Sequence, residues 1–573
     1  MSRTTLAVAA VTLLAALVLS ELSTYYKRRS MPPGPFRWPF IGNTLQVPQV
    51  HPWLTYSRWA QVYGDVLHLD ALGQHTIVIN SAKVARELLD KRSVIYSGRP
   101  HLVMAGDLIG YDRSLILQPY GDEFRQQRRF ISQDLSAAAV RQYYDIQEAA
   151  ARRLVLGVID DPGSLESQIK MNIASIIMLV VYGYTVKGAE DPIIARAYEV
   201  MDNFLATVSP GAWLVVIIPP LKYLPLWTPG ATFLTTAKAR RKLLNTHYRT
   251  MYQWSKENSE NGTARMPNLC ASVLAQAEGK MTSEMEESLT WAAASVLGGG
   301  LDSNVSTILS FILAMLHFPD VQKKAQAEID NVVGSKRLPE ISDRSSLPYV
   351  RSIVTEVYRW LPIAPLGFVH ALTEDDIHGE ILLPKGSIVL PNIWHMLHDP
   401  AVHPEPDTFK PERYGGLDTE MKKVTDLAFG FGRRACPGFH LAERSIFSVV
   451  ATILATCDIV PVVDEHGQEI IPDVRYTTGI VTSPLDVRCQ FRPRSEQART
   501  LLVDSAASMI QNTCTVTTGG YVFEGTLVSC DFGVAVRKKC IMFLRMNVAL
   551  LQSQRLANTL VETFRHICII RRT

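Results

Sequence analysis

Between Ser283 and Pro319 the chain carries a long apolar stretch, WAAASVLGGGLDSNVSTILSFILAMLHF, that only a proline stops. Ser283 and Glu286 form a capping-box pattern at its start. The pattern predicts a long, largely buried helix, and the rest of the fold has to be organised around it. The middle of this helix breaks a local rule. Gly298, Gly299 and Gly300 follow one another, each costing roughly 1 kcal/mol relative to alanine in a helix interior. An acid, Asp302, comes two residues later. Such a break marks close approach of the backbone to a ligand, a local opening of the helix, or a loosely packed kink.

From about residue 50 to residue 500, helical patterns alternate with short strand-like pieces, and Gly/Pro/Asn clusters separate them. HTIVINS at 75–81 reads as a strand and AKVARELLDKR after it as a helix. The helical share is large. With 573 residues, 47% hydrophobic and 20% charged, the composition is that of a globular protein. A net charge of +3, with no basic run interleaved with aromatics, argues against a nucleic-acid partner. The eight cysteines are scattered without a C-x-x-C pair, so neither a zinc site nor a disulfide framework is indicated. Free thiols suit a reducing compartment.

Leu6 to Leu19 reads LAVAAVTLLAALVL, and Thr4, Thr5 and Ser20 extend it towards the roughly 17 residues a membrane span needs. Lys27, Arg28 and Arg29 follow it, against Arg3 alone before it. Residues 1–22 therefore read as a single membrane anchor with the body on the cytosolic side. A cleaved signal peptide would carry its charges before the apolar core instead. Residues 23–49 form a basic, proline-rich linker, stiffened by Pro32, Pro33 and Pro35. GAWLVVIIPPLKYLPLW at 211–227 is either core or a second, membrane-dipping loop. Residues 501–573 change in texture, with 8 Lys/Arg, 4 Asp/Glu and four of the eight cysteines. No motif with chemistry occurs there.

FGFGRRACPGFH, Phe429 to His440, sets one cysteine on a tight cationic loop at the mouth of an apolar helical run. Gly430, Gly432 and Gly438 permit a sharp turn, while Arg433, Arg434 and the helix N-terminus favour a thiolate. A lone cysteine ligand suits haem iron, where the porphyrin supplies the other donors. An ordinary reactive or buried cysteine is the alternative. GFGRRA as a dinucleotide loop lacks a clear βαβ context and a matching acid.

The pattern F429-x-x-G432-x-R434-x-C436-x-G438 resembles the haem-binding signature of the cytochrome P-450 superfamily, the haem-thiolate monooxygenases. Other pieces fall in the same order. Glu356 and Arg359 resemble the E-x-x-R pair, and FKPERY at 409–414 resembles the P-E-R segment, with Arg413 completing a Glu–Arg–Arg cluster. GGLDSN at 299–304 resembles the oxygen-activating segment of the long helix, with serine at the usual threonine position. YGDEFRQQRRF at 120–130 resembles W-x-x-x-R, with Phe124 in place of the tryptophan.

The resemblance covers roughly residues 31–500 and implies a mainly α fold with small β-sheets (α+β). It implies haem with Cys436 as its axial ligand, Arg128, His370 and Arg434 at the propionates, and Phe429 and Gly432 shaping the loop. Asp302 and Ser303 would move protons during oxygen activation. The implied reaction is O2-dependent oxidation of a lipophilic or aromatic small molecule. A separate NADPH–cytochrome reductase would supply electrons in the endoplasmic reticulum membrane, docking near Arg433. The style of several segments is similar to membrane-bound enzymes of fungal secondary metabolism. Substrate would be lined by residues around Met104 to Ile109, the face near Gly299, Ile363 to Phe368, and the hairpin at 477–481. A haem-thiolate isomerase or dehydratase, and a non-catalytic haem-binding protein, are the rival readings. The resembled family has no counterpart of the 501–573 tail, which is an added extension or a gene-model artefact.

Overall fold

The computed structural model describes residue 12 and residues 30–188, 190–209, 211–265, 267–511, 515–518 and 521–524. The expected anchor at 1–22 thus lies, Thr12 apart, outside the described residues, as does most of the tail. The chain divides into two compact units, Met1–Leu502 and Val503–Thr573. In the second, Thr515–Thr518 pairs antiparallel with Tyr521–Glu524.

The first unit is mainly helical. Its principal helices are α1 (Asp122–Leu135), α2 (Tyr144–Asp160), α3 (Leu165–Tyr182), α4 (Pro192–Val208), α5 (Thr232–Glu260), α6 (Ser283–His317), α7 (Pro348–Trp360) and α8 (Phe439–Thr456). The strands are short: β1 (Val66–Ala71), β2 (Gln74–Ile79), β3 (His370–Ala371), β4 (Asp376–His378), β5 (Ile381–Leu383), β6 (Ile388–Pro391), β7 (Cys457–Val463), β8 (Glu469–Ile470) and β9 (Cys489–Pro493). They form sheets of order β1-β2-β6-β3, β4-β5 and β8-β7-β9. β2 runs parallel to β6, whereas β1–β2 and β3–β6 are antiparallel. The strand expected at 75–81 is β2, one residue earlier at its start and two shorter at its end.

α6 is the axis of the core. Its N-cap is Thr282, whose hydroxyl accepts from the Met285 amide at 3.3 Å. The capping group therefore sits one residue before the expected Ser283, and Glu286 instead pairs with Lys256 at 2.5 Å. Phe318 caps the C-terminus before Pro319. The three glycines do not interrupt the helix, which runs unbroken from Ser283 to His317. The three glycines have different surroundings. A β-carbon on Gly298 would touch Met201 and Tyr248, one on Gly300 would press Ile177 at 2.6 Å, and one on Gly299 would meet nothing within 4 Å. α3, α1, α7 and α8 pack around α6, and one continuous apolar cluster fills the space between them.

A buried ion cluster fastens α7 beneath this core. Glu356 is fully buried. It accepts from Arg359 twice at 2.9 Å, Arg413 Nε at 3.0 Å, the Lys410 amide at 2.9 Å and the Tyr414 hydroxyl at 2.6 Å. The expected Glu–Arg–Arg cluster therefore forms. Every lone pair of the carboxylate is used, which is the condition for burying such a charge.

Candidate functional site

One cavity of about 340 Å³ lies between α6, α7, the loop before α8 and the segment after β2. Cys436, Arg128, His370, Arg434, Phe429 and Ser303 all line it. They arrive from four separate stretches of chain. Asp302 does not line it.

The cysteine loop has a steric explanation. Gly432 sits at φ +51°, and a β-carbon there would lie 2.4 Å from the Leu89 carbonyl oxygen and 2.9 Å from Ser93. Its amide donates to Asp90 at 2.6 Å. Gly432 therefore docks the loop against the segment after β2. The Cys436 amide donates to the Phe429 carbonyl at 2.8 Å, closing the turn. Cys436 is accessible, but it borders the cavity. Burial pushes its thiol up, while the Gly438 and Phe439 amides and Arg128 pull it down. These donors are arranged to hold a sulfur anion.

Around the same cavity stand Arg99, Arg128, Arg434 and His370, and among the described residues no Asp or Glu lines it. Arg434 spends its donors on the carbonyls of Ser97, Leu115 and Gln118, at 2.7 to 3.1 Å. Its guanidinium lies 4.1 Å over the Phe124 ring. Phe124 cannot donate a hydrogen bond, but it serves as the platform for this cation. Burial, and then Arg128, lower the Arg434 pKa to about 10. Arg128 donates to the Ala435 carbonyl at 2.5 Å. Arg99 donates to Ile116 at 2.7 Å, and burial and Arg434 lower its pKa. His370 is buried and gives its Nδ1 hydrogen to the Tyr96 carbonyl at 2.8 Å. Burial first, then Arg99, lowers its pKa to about 3. Cations crowded without a carboxylate fit a bound group that carries its own negative charges.

The opposite wall is α6. Ser303 donates to the Gly299 carbonyl at 2.8 Å, Asn304 to Gly300 at 2.7 Å and Thr307 to Ser303 at 2.8 Å. Asp302 points behind the helix. Its Oδ2 is buried with no hydrogen-bond partner among the described residues. Burial, and then Asp202, raise its pKa, while Lys170 lowers it.

The expected substrate lining is met in part. Gly299, Ile363, Ala364, Gly367, Phe368 and Val481 contribute. Met104 to Ile109 does not: this segment forms a short, wide π-helical turn whose apolar side chains pack into the core against α4 and α5. Leu115 and Ile116 take its place, and Ile173, Ile176 and Ile177 of α3 complete the wall.

Comparison with known proteins agrees with this geometry. The family described as Cytochrome P450 matches residues 32–487. The chain belongs to the cytochrome P450 family. It is 78% identical over 505 residues to "Cytochrome P450 monooxygenase 105" of Postia placenta, covering 88% of this chain and 97% of that one. It is 39% identical to "Cytochrome P450 monooxygenase claR" of Ampulloclitocybe clavipes, covering 85% and 91%. A solved structure titled "Zebra fish cytochrome P450 another structure with Abiraterone" shares the fold. Its TM-score is 0.63 at 23% identity, over 78% of this chain and all of that one. This P450 is therefore a haem-thiolate monooxygenase, with the oxidoreductase chemistry of its family.

Arg99 and Tyr358 are site residues that sequence reasoning missed. Arg99 had a signal in IYSGRP: Gly98 bridges to Ala371, and a β-carbon there would lie 2.5 Å from the Ala371 carbonyl oxygen. A glycine that lets two backbones touch beside an arginine marks a built position.

Proposed function

We propose that Cys436 is the axial ligand of the haem, that Arg99, Arg128, Arg434 and His370 hold its propionates, and that the apolar wall receives a lipophilic or aromatic substrate. One observation carries this reading: a thiol flanked by amide donors, a carboxylate-free cluster of cations and an apolar wall share one cavity. Haem, when bound, supplies the redox chemistry in which R–H, O2, two electrons and two protons become R–OH and water, with the thiolate favouring O–O cleavage.

The chain's own residues do the rest. Gly299 leaves room against the helix, and Ile173, Ile177 and Phe368 exclude water. Ser303 presents a hydroxyl at the cavity that carries a proton, and Asp302 behind it is the proton source. Burial, and then Asp202, hold its carboxyl above the ordinary range, which brings it nearer to the acid's task.

Electrons come from an NADPH–cytochrome reductase. Exposed Arg125, Arg129 and Arg433 give it a cationic face beside the cysteine loop. The setting is the endoplasmic reticulum membrane, with residues 1–22 as a single span, 23–49 as linker and 50–500 as the catalytic domain facing the cytosol. The loop at 211–227 supports a membrane contact, since Leu214, Ile218, Tyr223, Leu226 and Trp227 are exposed rather than core. The substrate is a fungal secondary metabolite, a reading supported by the likeness to the fungal monooxygenase claR.

The test is a carbon monoxide difference spectrum of the reduced protein beside Cys436→Ser. A red-shifted thiolate-type Soret band in the wild type, lost in the variant, is the expected result. A folded, haem-supplied wild type without that band would sink the assignment.

A further inference from the structure

His370 opens β3, pairs with Val389 of β6 and lines the cavity. Its ring makes one hydrogen bond among the described residues, from Nδ1 to the Tyr96 carbonyl at 2.8 Å. A carbonyl oxygen only accepts, so Nδ1 carries the hydrogen. A neutral imidazole has just one ring N–H, and Nε2 is then a bare acceptor. Unlike Nε2 of His247, this nitrogen is not sealed in the core.

The Tyr96 carbonyl is a fixed partner. Tyr96 is 1% exposed, and its hydroxyl donates to Asp376 at 2.8 Å. Arg92 holds the same carboxylate at 2.8 Å. The next carbonyl, of Ser97, accepts from Arg434, and that of Gly98 accepts from the Ala371 amide at 3.0 Å. Moving the hydrogen to Nε2 would set two bare acceptors face to face at a buried position, which is the costly way to unmake a hydrogen bond. The charges that act on His370 are cationic, Arg99 from the segment after β2 and Arg434 from the cysteine loop, while β6 faces it with apolar Val389. Burial and these arginines keep the ring neutral around pH 7. A propionate is a carboxylate and, when ionised, also only accepts. It and Nε2 bond only with a hydrogen between them.

We infer that seating the haem takes up one proton from solvent, held between Nε2 of His370 and a propionate oxygen. The inference rests on the proposed reading that His370 meets a propionate. No covalent bond breaks and nothing is oxidised. The negative charge of the propionate offsets the arginines that otherwise keep the proton away. The proton belongs to the pair, so its position nearer nitrogen or oxygen leaves the count at one. Haem retention through this contact is therefore stronger at low pH and weakens as pH rises.

The experiment equilibrates the ferric holoenzyme with apomyoglobin as a haem scavenger, at about pH 6 and about pH 8, beside His370→Gln. The glutamine amide donates to a carboxylate without titrating. The proton released at Cys436 and the scavenger's own pH dependence are common to both proteins and cancel in their ratio. Wild-type retention relative to the variant should fall by about tenfold for each pH unit gained, the factor that one linked proton gives. A ratio that does not change with pH would overturn the inference. A constant ratio above one would leave His370 as a propionate partner without the proton, and a constant ratio of one would remove it from the propionates as well. If His370→Gln holds no haem, nitrogen-15 spectra of the histidine-labelled wild type in its reduced carbon monoxide complex decide. Hydrogen on both ring nitrogens of His370, or an infrared band of a protonated propionate, supports the inference. A bare Nε2 beside ionised propionates counts against it. A wild type lacking the thiolate-type band would instead fail the Cys436 assignment.

Discussion

At the scale of single residues, the site depends on atoms that approach more closely than an ordinary side chain allows. Gly432→Ala would place a methyl 2.4 Å from the Leu89 carbonyl oxygen at a φ of +51°. The left-handed conformation alone costs an alanine roughly 1–2 kcal/mol, and the clash adds to it. The expected outcome is a lower melting temperature and weak haem retention, read by absorbance after gel filtration. This residue was legible because its role is packed into ten consecutive positions. Cys436, Arg434 and Phe429 were legible for the same reason. Arg99 and Tyr358 were not, because each reaches the cavity beside neighbours distant in the chain. The placement of Asp302 was also hidden. Adjacent helical positions point about 100° apart, so an acid next to Ser303 faces another side.

At the scale of elements, α6 separates two uses of glycine that the sequence merges into GGG. Gly299 is mid-helix, accessible and faces open space. Gly299→Ala should therefore stabilise the fold by about 1 kcal/mol through helix propensity while narrowing the cavity, so thermal melts and substrate-induced spectral titrations should move in opposite directions. At Gly300 the same change presses Ile177, and the gain should be reduced or reversed. The helix and its ends were legible from the apolar run, the cap and Pro319. Its continuity was not: a glycine triplet signals cost without saying whether packing on α3 and α4 offsets it. The segment Met104–Ile109 shows the reverse difficulty. Its apolar residues suit a pocket wall and a core equally, and the three-dimensional neighbours decide.

At the scale of the whole molecule, three buried histidines and the half-buried His398 link folding to pH. Burial, the largest cause each time, lowers His370 and His398 to about 3 and His247 and His403 to about 4, from 6.5. The unfolded chain takes up these protons first, so stability is full above about pH 6.5 and falls as pH drops towards 3–4. Denaturant midpoints at pH 7.5 and 5.5 should differ in that direction, and replacing solvent-exposed His466 should leave the difference unchanged. The architecture also bears on synthesis. Arg434 reaches the Ser97 carbonyl across 337 residues, and the Gly432 amide reaches Asp90 across 342. At the usual pace of translation, the ribosome needs roughly 17–70 s to cover such a distance. For most of that interval Arg99 and Arg128 have already been synthesised, and the loop that bonds their segments has not yet been made. The cofactor's seat is therefore completed near the end of the catalytic domain's synthesis, and a chain cut short before Phe429 holds Arg99, Arg128 and His370 without Arg434 or Cys436 to close it.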